Sequence, residues 1–233
     1  MVKVELCSAT QEAVLLAKDL QLDRIELCQN LEQGGLTPSY GMIEYALELG
    51  LETHVLIRPR AGGFCYSQQE LNVIFKDIIS CKKMGVNGIV IGALKNNFEI
   101  DQDVLKHIKS ISGDMSLTFH RAFDETIDWK KSMDILIKHK FKRILTSGFC
   151  SNVEQGFSVL KEMIAYSNDR IEIMPGGGIS SSNVKKIIQE LKPKGLHFSA
   201  TVKTLLDEDS AFSETVLRVD SQKVNRILSI VRQ

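Results

Sequence analysis

Short runs of alternating apolar and polar residues recur along the chain, each followed by a stretch whose apolar residues return every three or four positions. The first pair is VKVELC at residues 2–7 and SATQEAVLLAKDL, in which Ala13, Leu16, Ala17 and Leu20 share one helical face and Ser8 with Gln11 has capping-box spacing. RIELC, ending at Cys28, leads into TPSYGMIEYALELG, with Thr37 as the expected cap, Pro38 as the first helical residue and Gly50 past the end. LETHVLIRP precedes SQQELNVIFKDIISCKKMG, which opens on a Ser67/Glu70 capping box and stops at Gly85. GIVIGAL, MSLTFHRAF, KRILTSG, RIEIMPGG and GLHFSA read as further strands, with helices near 101–110, 128–140, 152–166 and 180–191 and a last one from Ser221 to Val231.

About eight alternating strand–helix units predict an α/β fold with a parallel sheet and outer helices. Even spacing, and no GxGxxG after the first strand, favour one (β/α)8 TIM-barrel domain over residues 1–233 rather than an open doubly wound sheet. The acidic stretch LLDEDSAFSETVLRVD, before the last helix, reads as a surface loop or lid.

Along the strands the period of two separates two faces. Val4, Leu6, Ile25, Leu27, Val55 and Ile57 point toward the helices, whereas Glu5, Cys7, Glu26, Cys28, His54, Thr118, His120, Glu172, Met174, His197 and Ser199 point into the barrel, with Arg58 on the same face. Ionisable groups in such an interior are costly to desolvate unless paired or hydrogen-bonded. Grouped at the C-terminal rim, where barrel active sites lie, they favour a functional site over an internal ion-pair network.

Charge narrows the partners. Lys+Arg and Asp+Glu are equal at 29 each among 233 residues, so no overall field draws in nucleic acid or an anionic membrane. No apolar run approaches a membrane span and MVKVELCSAT lacks a signal-peptide layout, so a cytoplasmic location is expected. Five scattered cysteines without CxxC spacing argue against a disulfide framework.

Three constellations carry candidate chemistry. Cys7 and Cys28 end neighbouring strands on one face, close enough to share a soft cation such as Cu(I) or to be two packed thiols. The loops TSGFCS, MPGGGISSSN and FSAT, after strands six, seven and eight, include Ser147, Gly148, Gly176, Gly177, Gly178 and Ser199; barrels frequently bind phosphate with the last two, although a glycine triplet is also simply a tight turn. In FHRAFDE, His120 is a candidate acid–base group; Arg121, Asp124, Glu26 and Arg58 complete a possible catalytic set, with an Arg–Asp loop staple as the structural alternative. A Schiff-base mechanism is disfavoured, because the lysine of strand six, Lys142, lies at its far end.

RIELCQNLEQGGLTPSYG, VLIRPRAGGFCYS, GIVIGALKNNFEID, LTFHRAFDET, RILTSGFCS, IMPGGGIS and LHFSA, in that order from residue 2 to about residue 200, resemble the CutC family, named for a proposed role in copper homeostasis. The resemblance implies a cytoplasmic, usually dimeric TIM barrel, with Cys7 and Cys28 as suggested Cu(I) ligands. After strand three the family more often reads RPRGGDF; here Ala61 and Gly63 replace a glycine and an acid, and Cys65 adds a rim thiol as a possible third ligand. Two functions are therefore expected in order: copper handling through Cys7 and Cys28, or an enzyme acting on a small phosphorylated or carboxylated metabolite. In the second, His120 is the acid–base group, Arg58 and Arg121 clamp the anion, and the glycine loop with His197 and Ser199 holds the ligand. A purely structural interaction module leaves the polar interior unexplained.

Overall fold

The computed structural model describes residues 2–206 and 214–233. Eight parallel strands, β1 (Lys3–Ser8), β2 (Arg24–Leu27), β3 (Thr53–Leu56), β4 (Gly88–Ile91), β5 (Ser116–Phe119), β6 (Arg143–Thr146), β7 (Glu172–Pro175) and β8 (Gly195–Phe198), follow the order β7-β6-β5-β4-β3-β2-β1-β8. A parallel bridge between Gly176 and His197 brings the two ends together and closes the ring. Outside lie α1 (Gln11–Asp19), α2 (Tyr40–Glu48), α3 (Gln68–Met84), α4 (Gln102–Ser112), α5 (Trp129–Lys138), α6 (Phe157–Ser167), α7 (Val184–Lys186, continued by a π turn over Ile187–Leu191) and α8 (Ser221–Val231). The fold is the expected TIM barrel.

The period of two has the anticipated consequence. Val4, Leu6, Ile25, Leu27, Val55 and Ile57 are buried against Val14, Ala17, Ile43, Ile74 and Ile78 of the helices in one continuous core. Each such side chain contributes about 1.5–3 kcal/mol on burial. That ring of apolar contacts fixes the register of every strand, because a one-residue slip would send its core residues into the barrel.

Several boundaries differ from expectation. Ser8 does not cap α1: it stays in β1, paired in register with Leu27, and Thr10 caps the helix by accepting from Ala13 N–H. Thr37 does not cap α2 either; its hydroxyl accepts the Arg58 N–H at 2.9 Å, and Ser39 takes the capping position. The Ser67/Glu70 box and Gly85 stop of α3 are as read. The sixth helix starts at Phe157, preceded by turns, and the seventh is mostly a π turn.

The largest difference lies beyond β8. What reads as an acidic loop is an antiparallel hairpin, β9 (Thr201–Leu206) with β10 (Glu214–Val219), and the acidic middle of that stretch, residues 207–213, lies outside the described residues. Leu217 N–H donates to Glu32 in the loop after β2 at 2.5 Å, so the hairpin rests against the barrel mouth.

Candidate metal centre and anionic rim at the barrel mouth

The lower interior is an ion-pair layer. Arg24 on β2 pairs with Glu5 on β1, the two side chains being 2% and 1% exposed, and reaches Glu52 at 3.7 Å. Arg143 pairs with Glu172 at 2.9 Å, and His54 lies 3.5 Å from Glu52. Arg24 and Arg143 were not anticipated, although both share the inward parity of Glu26 and Leu145. Each is the first residue of its strand, where the alternating pattern is weakest.

The other oxygen of Glu5 accepts from His197 Nδ1 at 2.7 Å. Burial alone would raise the Glu5 carboxyl, but the His197 hydrogen bond and the Arg24 charge together hold it well below the usual carboxylate range. For His197 burial again opposes the shift, yet the carboxylates of Glu26 and Glu5 and the Cys7 thiol raise the imidazole well above its ordinary value. Glu5 thereby orients the His197 ring and leaves Nε2 for the layer above.

That layer is the floor of the mouth. Cys7 and Cys28 lie with their sulphurs 3.7 Å apart, and the Cys7 thiol lies 3.9 Å from Glu26 Oε1. One donor atom each from Cys7, Glu26 and His197 falls within 4.8 Å of the others, and all three residues are buried. Glu26 Oε2 has no hydrogen-bond partner, and burial pushes its carboxyl up to about 7. The hydrogen bond with Cys28, followed by burial, drives the Cys7 thiol well above its ordinary value. Leu56 and Val90 back the two sulphurs, and Ala9 and Leu31 pack beside them. Half of this floor is therefore apolar and half ionisable.

Above it opens a cavity of about 410 Å³ whose lining includes Cys7 and His197 at the base and Gly177, Gly178, Ser180, Arg121 and Lys223 toward the rim. Gly177 and Gly178 have φ of +101° and +78°, a left-handed run that glycine adopts without strain. Ser199 and Thr201 also line this cavity.

Arg121 marks the boundary with a second mouth cavity lined by Arg58, Phe64, Asp124 and Glu125. Its Nε donates to Asp124 at 3.0 Å, and its Nη2 donates to Ser147 Oγ at 2.6 Å and to the Cys150 carbonyl at 3.0 Å. Asp124 also accepts from the Thr146 hydroxyl and the Ser147 and Phe149 N–H groups. Asp124 is thus a positioning residue for Arg121 as well as a staple between two loops. Gly148 continues this turn, donating its N–H to Thr146 Oγ1 at 3.0 Å, while Gly176 belongs to the bridge that closes the barrel.

Arg58 and His120 fit their anticipated roles poorly. The Arg58 guanidinium donates to the carbonyls of Gln33, Gly35 and Gly62 at 2.7–3.0 Å, tying the loops after β2 and β3 together. His120 is 5% exposed, its Nδ1 accepts the Ala122 N–H at 3.1 Å, and its ring lies 4.7 Å from that of Phe64. Burial, reinforced by the Arg58 charge, lowers it to about 3, so it stays neutral at physiological pH. Glu26 and His197 are better placed for proton chemistry. Cys65 does not join the thiol pair: it is exposed and donates to Asn96 at 3.0 Å, lining a separate pocket.

The CutC family model matches residues 2–202. This chain belongs to the CutC family. Among CutC relatives, the family protein of Glaesserella parasuis is 38% identical over 98% of each chain, and that of Bacteroides fragilis is 39% identical over 84% of this chain and 79% of its own. The crystal structure of CutC from Streptococcus agalactiae, named for copper homeostasis, superimposes with a TM-score of 0.78 at 35% identity, covering 85% of this chain and 99% of that one. Phosphoribosylanthranilate isomerase from Thermotoga maritima aligns with a TM-score of 0.62 at 13% identity, a likeness of barrel architecture alone. No helix among the described residues is long and apolar enough to cross a membrane. The CutC match ends at residue 202, two residues into β9, so α8, which supplies Lys223, lies outside it.

Proposed function

We propose that this CutC barrel handles copper by holding Cu(I) on the mouth floor, with Cys7 and Cys28 as thiolate ligands and His197 Nε2 completing the set. The observation that carries this reading is the paired thiols, 3.7 Å apart, beside an imidazole braced from behind by Glu5. Soft thiolates select Cu(I), imidazole suits copper, and a carboxylate on the far ring nitrogen is the usual outer support of a metal-bound histidine. With bonds of about 2.3 Å, a linear pair needs sulphurs ~4.6 Å apart and a trigonal set about 4.0 Å, so the observed spacing fits three ligands better than two. The unpartnered Glu26 oxygen offers a fourth donor or a base for the thiol proton.

The raised Cys7 thiol and the raised His197 imidazole must both lose a proton on binding, so affinity rises with pH. The test is a Cu(I) competition titration of wild type, Cys7→Ser, Cys28→Ser and His197→Ala. A drop of 10-fold or more in each variant, about 1.4 kcal/mol, is expected. Unchanged affinity in both serine variants removes the reading.

A second reading is favoured by one observation: Glu26, pushed up to about 7, sits beside Cys7 and His197, which line the mouth cavity, and its pairing with His197 is suited to general acid–base catalysis. It assigns the proton-transfer role to Glu26 instead of His120. Turnover by metal-free protein that disappears in Glu26→Gln supports it; turnover that survives the substitution rejects it.

A further inference from the structure

We infer that the rim cavity is a binding site for a phosphomonoester, with its phosphate held by Arg121, Lys223, the Ser180 hydroxyl and the backbone N–H groups of Gly178 and Ile179, and its carbon skeleton descending toward His197 and Cys7. The site uses none of the thiols as ligands and stands whether or not copper occupies the floor.

The first argument is the sign of the charge. The protein carries as many acidic as basic side chains, yet among the described residues the wall of this cavity contains Arg121, Lys223 and His197 and no carboxylate. The neighbouring mouth cavity, across Arg121, includes Asp124 and Glu125, so the two halves of the mouth differ in electrostatic character. An anion is drawn to the first and not to the second.

The second is a row of free donors. Among the described residues, the N–H groups of Gly178 and Ile179 make no hydrogen bond, whereas the N–H of Gly177 faces β8 in the bridge that closes the barrel and those of Gly176 and Ser180 are taken by the Thr146 carbonyl and the Asn183 side chain. Both unpaired residues line the cavity. Successive N–H groups beside left-handed residues form the concave nest that binds oxyanions. An unpaired N–H turned away from water is costly, and a phosphate oxygen satisfies it.

The third is preorganisation. Arg121 is anchored by Asp124, Ser147 and the Cys150 carbonyl, and Lys223 is tethered to the Thr201 carbonyl at 2.8 Å, so neither must be ordered when the ligand arrives. Two N–H groups, a hydroxyl and two cations exceed what the two oxygens of a carboxylate can accept and suit the three of a phosphomonoester. Leu31, Leu145, Ile179 and Phe198 supply apolar wall for a short carbon skeleton.

The experiment is calorimetric titration of the full chain, metal-free, with inorganic phosphate and with glycerol phosphate at fixed ionic strength, comparing wild type with Lys223→Gln, Arg121→Gln and Cys7→Ser. Saturable 1:1 binding is expected, weakened about 10-fold by Lys223→Gln, weakened further by Arg121→Gln and retained in Cys7→Ser, with glycerol phosphate tighter than phosphate. Arg121→Gln is checked by circular dichroism because its loop anchors are lost; Lys223→Gln, at the half-buried start of α8, keeps the proposal open to refutation if that variant unfolds. Absence of saturable binding by either probe overturns the inference, as does equal affinity in wild type and Lys223→Gln. Binding lost in Cys7→Ser but kept in Lys223→Gln would put the anion on the floor and likewise overturn it. Loss of copper affinity leaves this result untouched, so the two proposals fail separately.

Discussion

Glu26→Gln isolates what it costs to keep a carboxyl on the mouth floor. Glu26 is 5% exposed, and burial raises it from an ordinary 4.5 to about 7. At about 1.36 kcal/mol for each tenfold change in proton affinity, a difference of roughly 2.5 corresponds to about 3 kcal/mol. The sign follows from proton linkage. Folding favours the protonated carboxyl, so its contribution is fully present below the unfolded value near 4.5 and is lost as pH rises through about 7. Glutamine keeps the shape without the proton equilibrium. The variant therefore matches wild type within about 1 kcal/mol near pH 5 and exceeds it by about 2–3 kcal/mol above pH 8, with His197 and Cys7 absorbing part of the difference. Urea unfolding followed by circular dichroism across that range measures both limbs. A stability difference constant with pH, or one favouring wild type at the alkaline end, refutes the reasoning.

Other consequences follow from the same interior. Glu5→Gln leaves Arg24 without its nearest carboxylate in a fully buried layer and destabilises the fold by about 3–5 kcal/mol in urea unfolding; a loss under 1 kcal/mol would mean that Glu52 compensates. Because the native Glu5 carboxyl is depressed, its stabilisation is present at neutral pH and disappears as pH falls below the unfolded value near 4.5, and the variant flattens the acid limb of the stability profile. At Gly156 an added Cβ would lie 1.9 Å from the Ser147 carbonyl oxygen and 2.9 Å from Gly148, so Gly156→Ala costs at least about 3 kcal/mol or yields insoluble protein; wild-type melting would show that the two loops part easily. His120 should show no protonation step between about pH 5 and 8 in NMR titration of its ring, since burial keeps it neutral; a midpoint near 6.5 would place it in contact with water.

The inward direction of Glu26, His120 and His197 was readable because strand parity is a local property, set by the pleat of each segment. All three are inside the barrel, 5–9% exposed. What parity could not supply was depth. His120 follows the last residue of β5 and looked like a rim group, yet Phe64, from the loop after β3, covers its ring and leaves it buried and neutral. Arg58 had the residue type of an anion clamp, but three carbonyls, two from the loop after β2 and one from its own loop, engage it. Asp124 and Arg121, three positions apart, were recognisable as a pair, and only the approach of the β6 loop added Ser147 and Cys150 to fix the arginine's direction.

The sequence by itself determined the strand–helix alternation, the apolar face of each element and the set of residues aimed inward, because hydrophobic periodicity and capping act over a few residues. Tertiary structure alone decided which inward groups meet. Closure of β8 onto β1 brings His197 to Glu5 across 192 positions of sequence, and the return of the chain through the hairpin sets Lys223 opposite Arg121. Those pairings come from the geometry of a closed, staggered ring, in which neighbouring strands are distant in sequence and loops from separate units share one mouth.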